Sequence, residues 1–543
     1  MRYLTTAYSR SIARCVTKSR RHRLLPAGLL VSLLAACGGG TGSDSTSTTG
    51  TGTSTAPGAT ARGTLLQNPP QLTSTVSAAN LLLDISGASD SRLQQLLSLV
   101  GSPLCDIAVY HIEYETVGGK NEATTASGAL MVPTGGDGHC SGPRPIVLYA
   151  HGTSTEHNYN IADLTNQQNA EGLILAAVFA SQGYIVVAPN YAGYDTSTLP
   201  YIAFLVADQQ SADMIDALTA ARSALPVAAA ATTSDGGKLF ITGYSQGGYV
   251  AMATHRAMQA ANMSVTASAP MSGPYALAAF VDAVFDGQVN GGGPVVGTLL
   301  LTSYQNSYGN IYADSTDVFE PQYASGIDSL LPSTSSRSEL YAQGKLPQYA
   351  LFSLTPPAAA FADITPATSP ADLAPVFAQG FGAGNLFTNA YRLQYLTDAL
   401  ANPDGDFPTV TTGVAAASPG LALRAALKQN DLRSWTPTAP VLLCGGDQDP
   451  EVYWFNAQFE QTYWASQAAA ASSTILDLDS AAPAGGPYAS LRTQFALAKT
   501  AIAAAAIAGG ATDAGYVAVE TAYHTTLVPP FCLAAVTSFF ASY

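Results

Sequence analysis

The chain has 543 residues, of which 47% are hydrophobic and 11% charged, with a formal net charge of −15. That apolar content suffices for one large core or two domains and excludes a chain disordered throughout. The acidic balance repels phosphate backbones, and no basic patch reverses it, so nucleic-acid binding is disfavoured.

The chain opens with a basic stretch, MRYLTTAYSRSIARCVTKSRRHR, followed by the apolar run LLPAGLLVSLLAA. A run of about 13 residues is too short to cross a bilayer as a helix, so residues 1–36 read as an export signal. The signal holds seven basic residues and no acidic one, so its removal takes the formal charge from −15 to −22. It ends in Leu34-Ala35-Ala36-Cys37, which resembles the bacterial lipobox. The resemblance implies lipid attachment at Cys37 and membrane contact through that anchor. Because Gly38 follows in place of an aspartate, it implies an outer-membrane lipoprotein, the alternative being a periplasmic or secreted protein. The Gly/Ser/Thr-rich residues 37–64 read as a flexible tether that holds a folded domain off the membrane.

The folded part begins near Leu65. DIAVYHIEYETV (106–117) and TTASGALMVP (124–133) alternate apolar and polar positions, as half-buried antiparallel strands do. RPIVLYAHG (144–152) and YIVVAPN (184–190) are continuous apolar runs, as in strands covered on both faces, with a helical segment near 169–182 between them. A helix around 208–224 precedes the strand KLFITGYS (238–245), the helix GGYVAMATHRAMQA (247–260) and the strand SVTASAPMSGPY (264–275). This repeating order predicts an α/β fold with a mostly parallel, doubly wound sheet and helices on both faces.

Gly243-Tyr244-Ser245-Gln246-Gly247 matches G-x-S-x-G between a predicted strand and a predicted helix. A sharp strand-to-helix turn strains the serine backbone and lifts Oγ above the sheet edge, where the helix N-terminus favours developing negative charge. A serine hydroxyl needs a histidine base, and the imidazole needs a carboxylate to fix its tautomer. In this fold the acid and the histidine follow the serine in the chain. Of seven histidines only His255 and His524 follow Ser245. His255 falls inside the next helix and cannot curl back, which leaves His524, in the strand-like run VAVETAYHTTLVPP before a terminal helix FCLAAVTSFF.

The acid is expected in APVLLCGGDQDPEVYW (439–454), a buried strand ending in a turn with two carboxylates. Asp449 is the choice, with Asp447 as the alternative or as a cap of the turn. The oxyanion donors are expected to be the backbone N–H of Gln246 and one from AHGTST, at Thr153 or its neighbour Gly152. His151 reads as a brace for that loop. Apart from Cys15 and Cys37 the cysteines are Cys105, Cys140, Cys444 and Cys532, an even set that permits three pairings. Cys105 with Cys140 closes two neighbouring strands, and Cys444 with Cys532 joins the strand before Asp449 to the segment after His524. No cofactor or metal is implied, since no CxxC or HxxxH spacing is present.

The stretches LYAHGT, VVAPNYAGYD, GYSQGG, CGGDQDPEV and AYHTT occur in the order and contexts of the α/β-hydrolase fold. Over roughly residues 100–543 they resemble the secretory lipase family, the fungal lipase A type with its bacterial relatives. The resemblance implies Ser245 as nucleophile, Asp449 as acid, His524 as base, and Thr153 and Gln246 as oxyanion donors. Related sequences often read PDYxGxG where this chain has Pro189-Asn190-Tyr191-Ala192-Gly193-Tyr194, which removes that carboxylate here.

The long interval between Ser245 and Asp449 makes 276–435 an insertion with helical pieces (ALAAFVDAVFDGQ, AYRLQYLTDAL, LALRAALKQNDL), placed as a cap or lid over the pocket. The core is then 65–275 and 436–543, and its last strand is either STILDLDS or GYVAVE. The expectation is an exported serine ester hydrolase for a small-molecule or lipid ester. A serine peptidase of the same fold is the alternative, followed by a non-catalytic surface lipoprotein; the oligomeric state is left open.

Overall fold

A computed structural model describes residues 61–543 except 89, 167–169, 229–231, 406–413, 468–469 and 482–484. The expected export signal (1–36), Cys37 and residues 38–60 of the expected tether lie outside the described residues. Residues 62–64, expected as the end of a flexible tether, lie on the folded core, as does Leu65. Arg62 Nε donates to Asp216 at 2.9 Å, Gly63 N donates to the Glu115 carbonyl at 2.8 Å, and Leu65 bridges to Tyr114.

The described strands are β1 (Gln71–Val76), β2 (Asp106–Val117), β3 (Ala123–Thr134), β4 (Gly142–Ala150), β5 (Ile185–Pro189), β6 (Thr233–Tyr244), β7 (Ala267–Met271), β8 (Val441–Gly445) and β9 (Ser473–Asp477). They form one sheet in the order β1-β2-β3-β5-β4-β6-β7-β8-β9. β1, β2, β3 and β5 pair antiparallel in turn, while β5, β4, β6, β7, β8 and β9 run parallel. Among the parallel strands, every residue of β5, β7 and β8 is buried, whereas β9 at the edge is mostly not. Full burial follows from helices covering both faces.

Those helices include α1 (Ala78–Gly87), α2 (Ser91–Val100), α3 (Glu171–Val178), α4 (Ala207–Ala228) and α5 (Gln246–Ala260), and a C-terminal helix Val528–Phe540. α1 and α2 had no counterpart in the sequence reading. Between β7 and β8 helices alternate with longer irregular stretches; the main helices are α6 (Leu277–Phe285), α7 (Gly293–Tyr308), Asn389–Ala401 and Ala422–Asn430. Buried ion pairs tie these pieces together. Arg424 holds Asp282 of α6 and Asp398, each at 2.8 Å, and Arg433 holds Asp404 at 2.6 Å and Asp431 at 2.8 Å. Desolvating an arginine is costly unless its hydrogen-bond geometry is met, so these pairs dictate how the pieces dock.

Of the two candidates for the last strand, STILD (473–477) forms β9, whereas Tyr516–Ala522 is helical. Alternation over GYVAVE is short; the helix starts after Gly515, and Asp513 accepts from the backbone N–H of Gly515 and Val517 at 3.1 and 2.8 Å, which ties its first turn. Disulfides join Cys105 to Cys140 and Cys444 to Cys532, the pairing expected from the sequence. The second links β8 to the C-terminal helix.

Candidate active site

β4 and β6 lie side by side in the sheet with Ala150 opposite Gly243, so the segments leaving their carboxyl ends start as neighbours. Ser245 follows β6 with φ 59° and ψ −122°, a conformation costly for a residue with a Cβ, and α5 begins at the next residue. The flanking glycines are required by close approach. A Cβ on Gly243 would sit 2.5 Å from the Ala150 carbonyl oxygen, and one on Gly247 would sit 2.0 Å from it. The turn can therefore press against β4 only with glycine at both positions.

His524 reaches this turn from the far end of the chain. Its Nε2 lies 2.8 Å from Ser245 Oγ, and its Nδ1 lies 2.8 Å from Asp449 Oδ2. Asp449 sits in the turn after β8, buried, with its other oxygen accepting from the backbone N–H groups of Glu451 at 2.9 Å and Val452 at 3.0 Å. Asp447 points elsewhere: it is exposed, and its N–H donates to Asp477 at 3.0 Å. Burial disfavours the imidazolium of His524, but the Asp449 carboxylate, by charge and hydrogen bond, outweighs this and pushes its pKa up to about 9.

The backbone carrying His524 is not the extended run its sequence suggested. Helix Tyr516–Ala522 passes into a wider turn over Tyr523–Leu527 and then into Val528–Phe540. The Val528 N–H bonds back to the Tyr523 carbonyl, five residues away, and Pro529 and Pro530 have no N–H to offer. The carbonyls of His524 and Thr525 are thus left without helical donors and are met from outside. Tyr244 Oη donates to His524 O at 2.6 Å and Arg92 Nη1 to Thr525 O at 3.4 Å.

The two oxyanion candidates after β4 separate by their partners. Gly152 N donates to Glu171 Oε1 at 3.2 Å, a carboxylate that also accepts from Tyr149 Oη at 2.7 Å and Tyr159 Oη at 3.1 Å. Neither Thr153 N nor Gln246 N has a partner among the described residues. His151 is fully buried, with Nδ1 2.6 Å from Gly152 O and Nε2 3.0 Å from Asn190 O. Its ring is stacked between Tyr159 and Tyr191 at 4.2 and 4.1 Å, which makes it a brace. Asn190, standing where related sequences carry a carboxylate, is buried and uses its amide on Ile161 N and Ser127 Oγ.

Ser245, Gln246, Thr153 and His524 line a cleft of about 460 Å³, with Phe280, Val295 and Val296 of the β7–β8 interval among its walls. Glu171, Arg92 and Tyr244 lie on the same cleft and were not singled out in the sequence. Their contacts here are long-range and leave no local pattern.

No protein-family model matches the chain, and no curated protein does. Among solved structures it is similar to the rice cell wall degrading esterase LipA from Xanthomonas oryzae. That match has 26% identity and a TM-score of 0.59, covering 77% of this chain and 91% of that one. The chain has the α/β-hydrolase fold. A protein from Legionella pneumophila is similar at 19% identity and a TM-score of 0.57, over 88% of this chain and 97% of the other. Candida antarctica lipase A in its closed state aligns at 13% identity and a TM-score of 0.41, over 76% of each chain.

Proposed function

We propose that the protein is an exported serine carboxylic-ester hydrolase of the lipase and esterase type, with Ser245 as nucleophile, His524 as base and Asp449 as acid. The observation that carries this reading is the pair of 2.8 Å contacts running from Ser245 through His524 to Asp449 beside a cleft walled in part by Phe280, Val295 and Val296. Likeness at 26% identity to an esterase supports ester hydrolysis.

In this reading Ser245 Oγ attacks the ester carbonyl carbon while His524 Nε2 takes the hydroxyl proton, and the Nδ1–H stays bonded to Asp449. The carbonyl oxygen becomes an oxyanion that accepts from the N–H groups of Gln246 and Thr153. The C–O bond to the alcohol then breaks, His524 returns the proton to that oxygen, and an acyl-enzyme remains. Water attacks the acyl carbon, again giving its proton to His524, and the acid leaves as Ser245 is restored. Phe280, Val295 and Val296 favour an apolar acyl group, as in medium-chain esters or glycerides. The β7–β8 interval serves as the cap.

The two disulfides fit an oxidising compartment. Together with Leu34–Cys37 they support export and anchoring through a lipid on Cys37. If Cys37→Ala leaves the protein in the membrane fraction, the anchor assignment is wrong.

The reaction class is tested with p-nitrophenyl esters from acetate to palmitate, beside an aminoacyl p-nitroanilide. Ester turnover without amide turnover, best at intermediate acyl length, is expected. Amide cleavage at a comparable kcat/KM would make the protein a peptidase instead.

A further inference from the structure

Acid and base reach Ser245 on segments separated by more than seventy residues, the acid from the turn after a strand and the base from a single wide helical turn that two prolines interrupt. Asp449 follows β8, whereas His524 sits in the irregular turn before the last helix. Misplacement by about 1 Å can cost a catalytic group on the order of a hundredfold in rate, so some contact has to set the two segments relative to each other.

Asp479, two residues past β9, makes that contact. Its Oδ2 accepts from the backbone N–H of Gln448 at 3.2 Å and from the Tyr523 hydroxyl. Gln448 immediately precedes Asp449, and Tyr523 immediately precedes His524. One carboxylate oxygen therefore joins the chain neighbours of the acid and the base. Its other oxygen accepts from Lys499 Nζ at 2.6 Å, and the same ammonium donates to Gln448 Oε1 at 2.6 Å. Lys499 also lies over the ring of Tyr523, 5.4 Å from its centroid. The fit is close: a Cβ on Gly446 would fall 2.0 Å from Tyr523 Oη and 3.0 Å from Asp479 Oδ2. Tyr523 is fully buried, so its hydroxyl has no water to turn to if the carboxylate is lost.

Building on the assignment of Ser245, His524 and Asp449, we propose that Asp479 is a positioning residue, which with Tyr523 and Lys499 sets the acid turn and the base turn in register. It touches neither substrate nor the reacting atoms. Its effect passes through the distance and angle between Asp449 and His524.

The test uses Asp479→Asn, Tyr523→Phe and the double variant in the full chain, with Ser245→Ala beside them. Steady-state kinetics on a p-nitrophenyl ester are followed across pH, together with thermal midpoints. Both single variants are expected to lower kcat at least tenfold with KM within twofold. The low-pH limb of kcat/KM should shift to lower pH, since a carboxylate displaced from His524 stabilises the imidazolium less. The double variant should be no slower than the slower single one, because the two changes remove one bond. Unchanged kcat and an unmoved pH limb in the single variants, with Ser245→Ala inactive, would overturn the positioning role and leave the triad intact. A uniform loss of activity without a shift of the pH limb would make Asp479 merely structural and overturn it too. Turnover surviving in Ser245→Ala would instead remove the triad reading underneath. If Asp479→Asn does not fold, Tyr523→Phe reads the same bond from its other end.

Discussion

The hydroxyl of Tyr244 donates to the main-chain carbonyl of His524 at 2.6 Å, so the residue before Ser245 holds the backbone of the proposed base. That carbonyl lacks a helical donor because the Val528 N–H bonds to Tyr523 O and Pro529 has no N–H. Tyr244→Phe removes the hydroxyl and keeps the ring, which packs 5.0 Å from the imidazole. The expected outcome is a loss of about tenfold in kcat on a p-nitrophenyl ester with little change in KM, read by steady-state kinetics.

The two carboxylates after β8 should differ sharply. Asp449→Asn leaves the shape of the turn but removes the charge beside His524 Nδ1, and kcat should fall by roughly 10³- to 10⁴-fold. Asp447→Asn alters an exposed side chain, and kcat should stay within about twofold. A large loss in Asp447→Asn with a small one in Asp449→Asn would exchange their roles.

A pH profile reports on His524 directly. The base works as neutral imidazole, and its pKa is pushed up to about 9 because Asp449 outweighs the opposing effect of burial. The low-pH limb of kcat/KM should therefore lie above the ordinary histidine value, with the rate still rising through pH 7 to 8. In Asp449→Asn the remaining activity should show its limb at lower pH. A wild-type limb near pH 5 would contradict the geometry.

Glu460 offers a test of stability away from the chemistry. It is fully buried, both carboxyl oxygens lack partners among the described residues, and burial raises its pKa to about 8. A carboxyl whose folded pKa is raised binds its proton more tightly in the native state. Its contribution to stability is thus complete below the unfolded value near 4.5 and is lost as pH rises to about 8. Glu460→Gln should melt with wild type near pH 4.5 and several degrees above it at pH 9, as followed by circular dichroism. Equal midpoints at both pH values would mean that Glu460 is solvated or paired in solution.

Much of the sheet was legible because burial on both faces writes uninterrupted apolar runs, and IVLYA, IVVAP and VLLCG mark β4, β5 and β8. Ser245 was legible for a local reason, since glycine is required on both sides where the turn meets Ala150. His524 is legible from chain order together with the place of His255 inside α5, but the backbone around it is not. The alternation in VAVE suggests a strand, whereas a helix starts there after Gly515, with Asp513 bonded to its first turn. Asp479, Tyr244 and Glu171 act through contacts across tens to hundreds of residues, and nothing in their neighbouring sequence marks them. α1 and α2 carry no motif; α2 packs against the C-terminal helix and α1 against α2 and α3, contacts that nothing in their own sequence marks.

The central claim is that Ser245 is a nucleophile activated by His524. Labelling of the purified protein with a fluorophosphonate probe, followed by mass mapping of the modified peptide, tests it most directly. The account predicts stoichiometric labelling on Ser245, no labelling in Ser245→Ala, and labelling slowed by several orders of magnitude in His524→Ala. A wild-type protein that takes no label between pH 6 and 10, or takes it at another residue, would contradict the assignment.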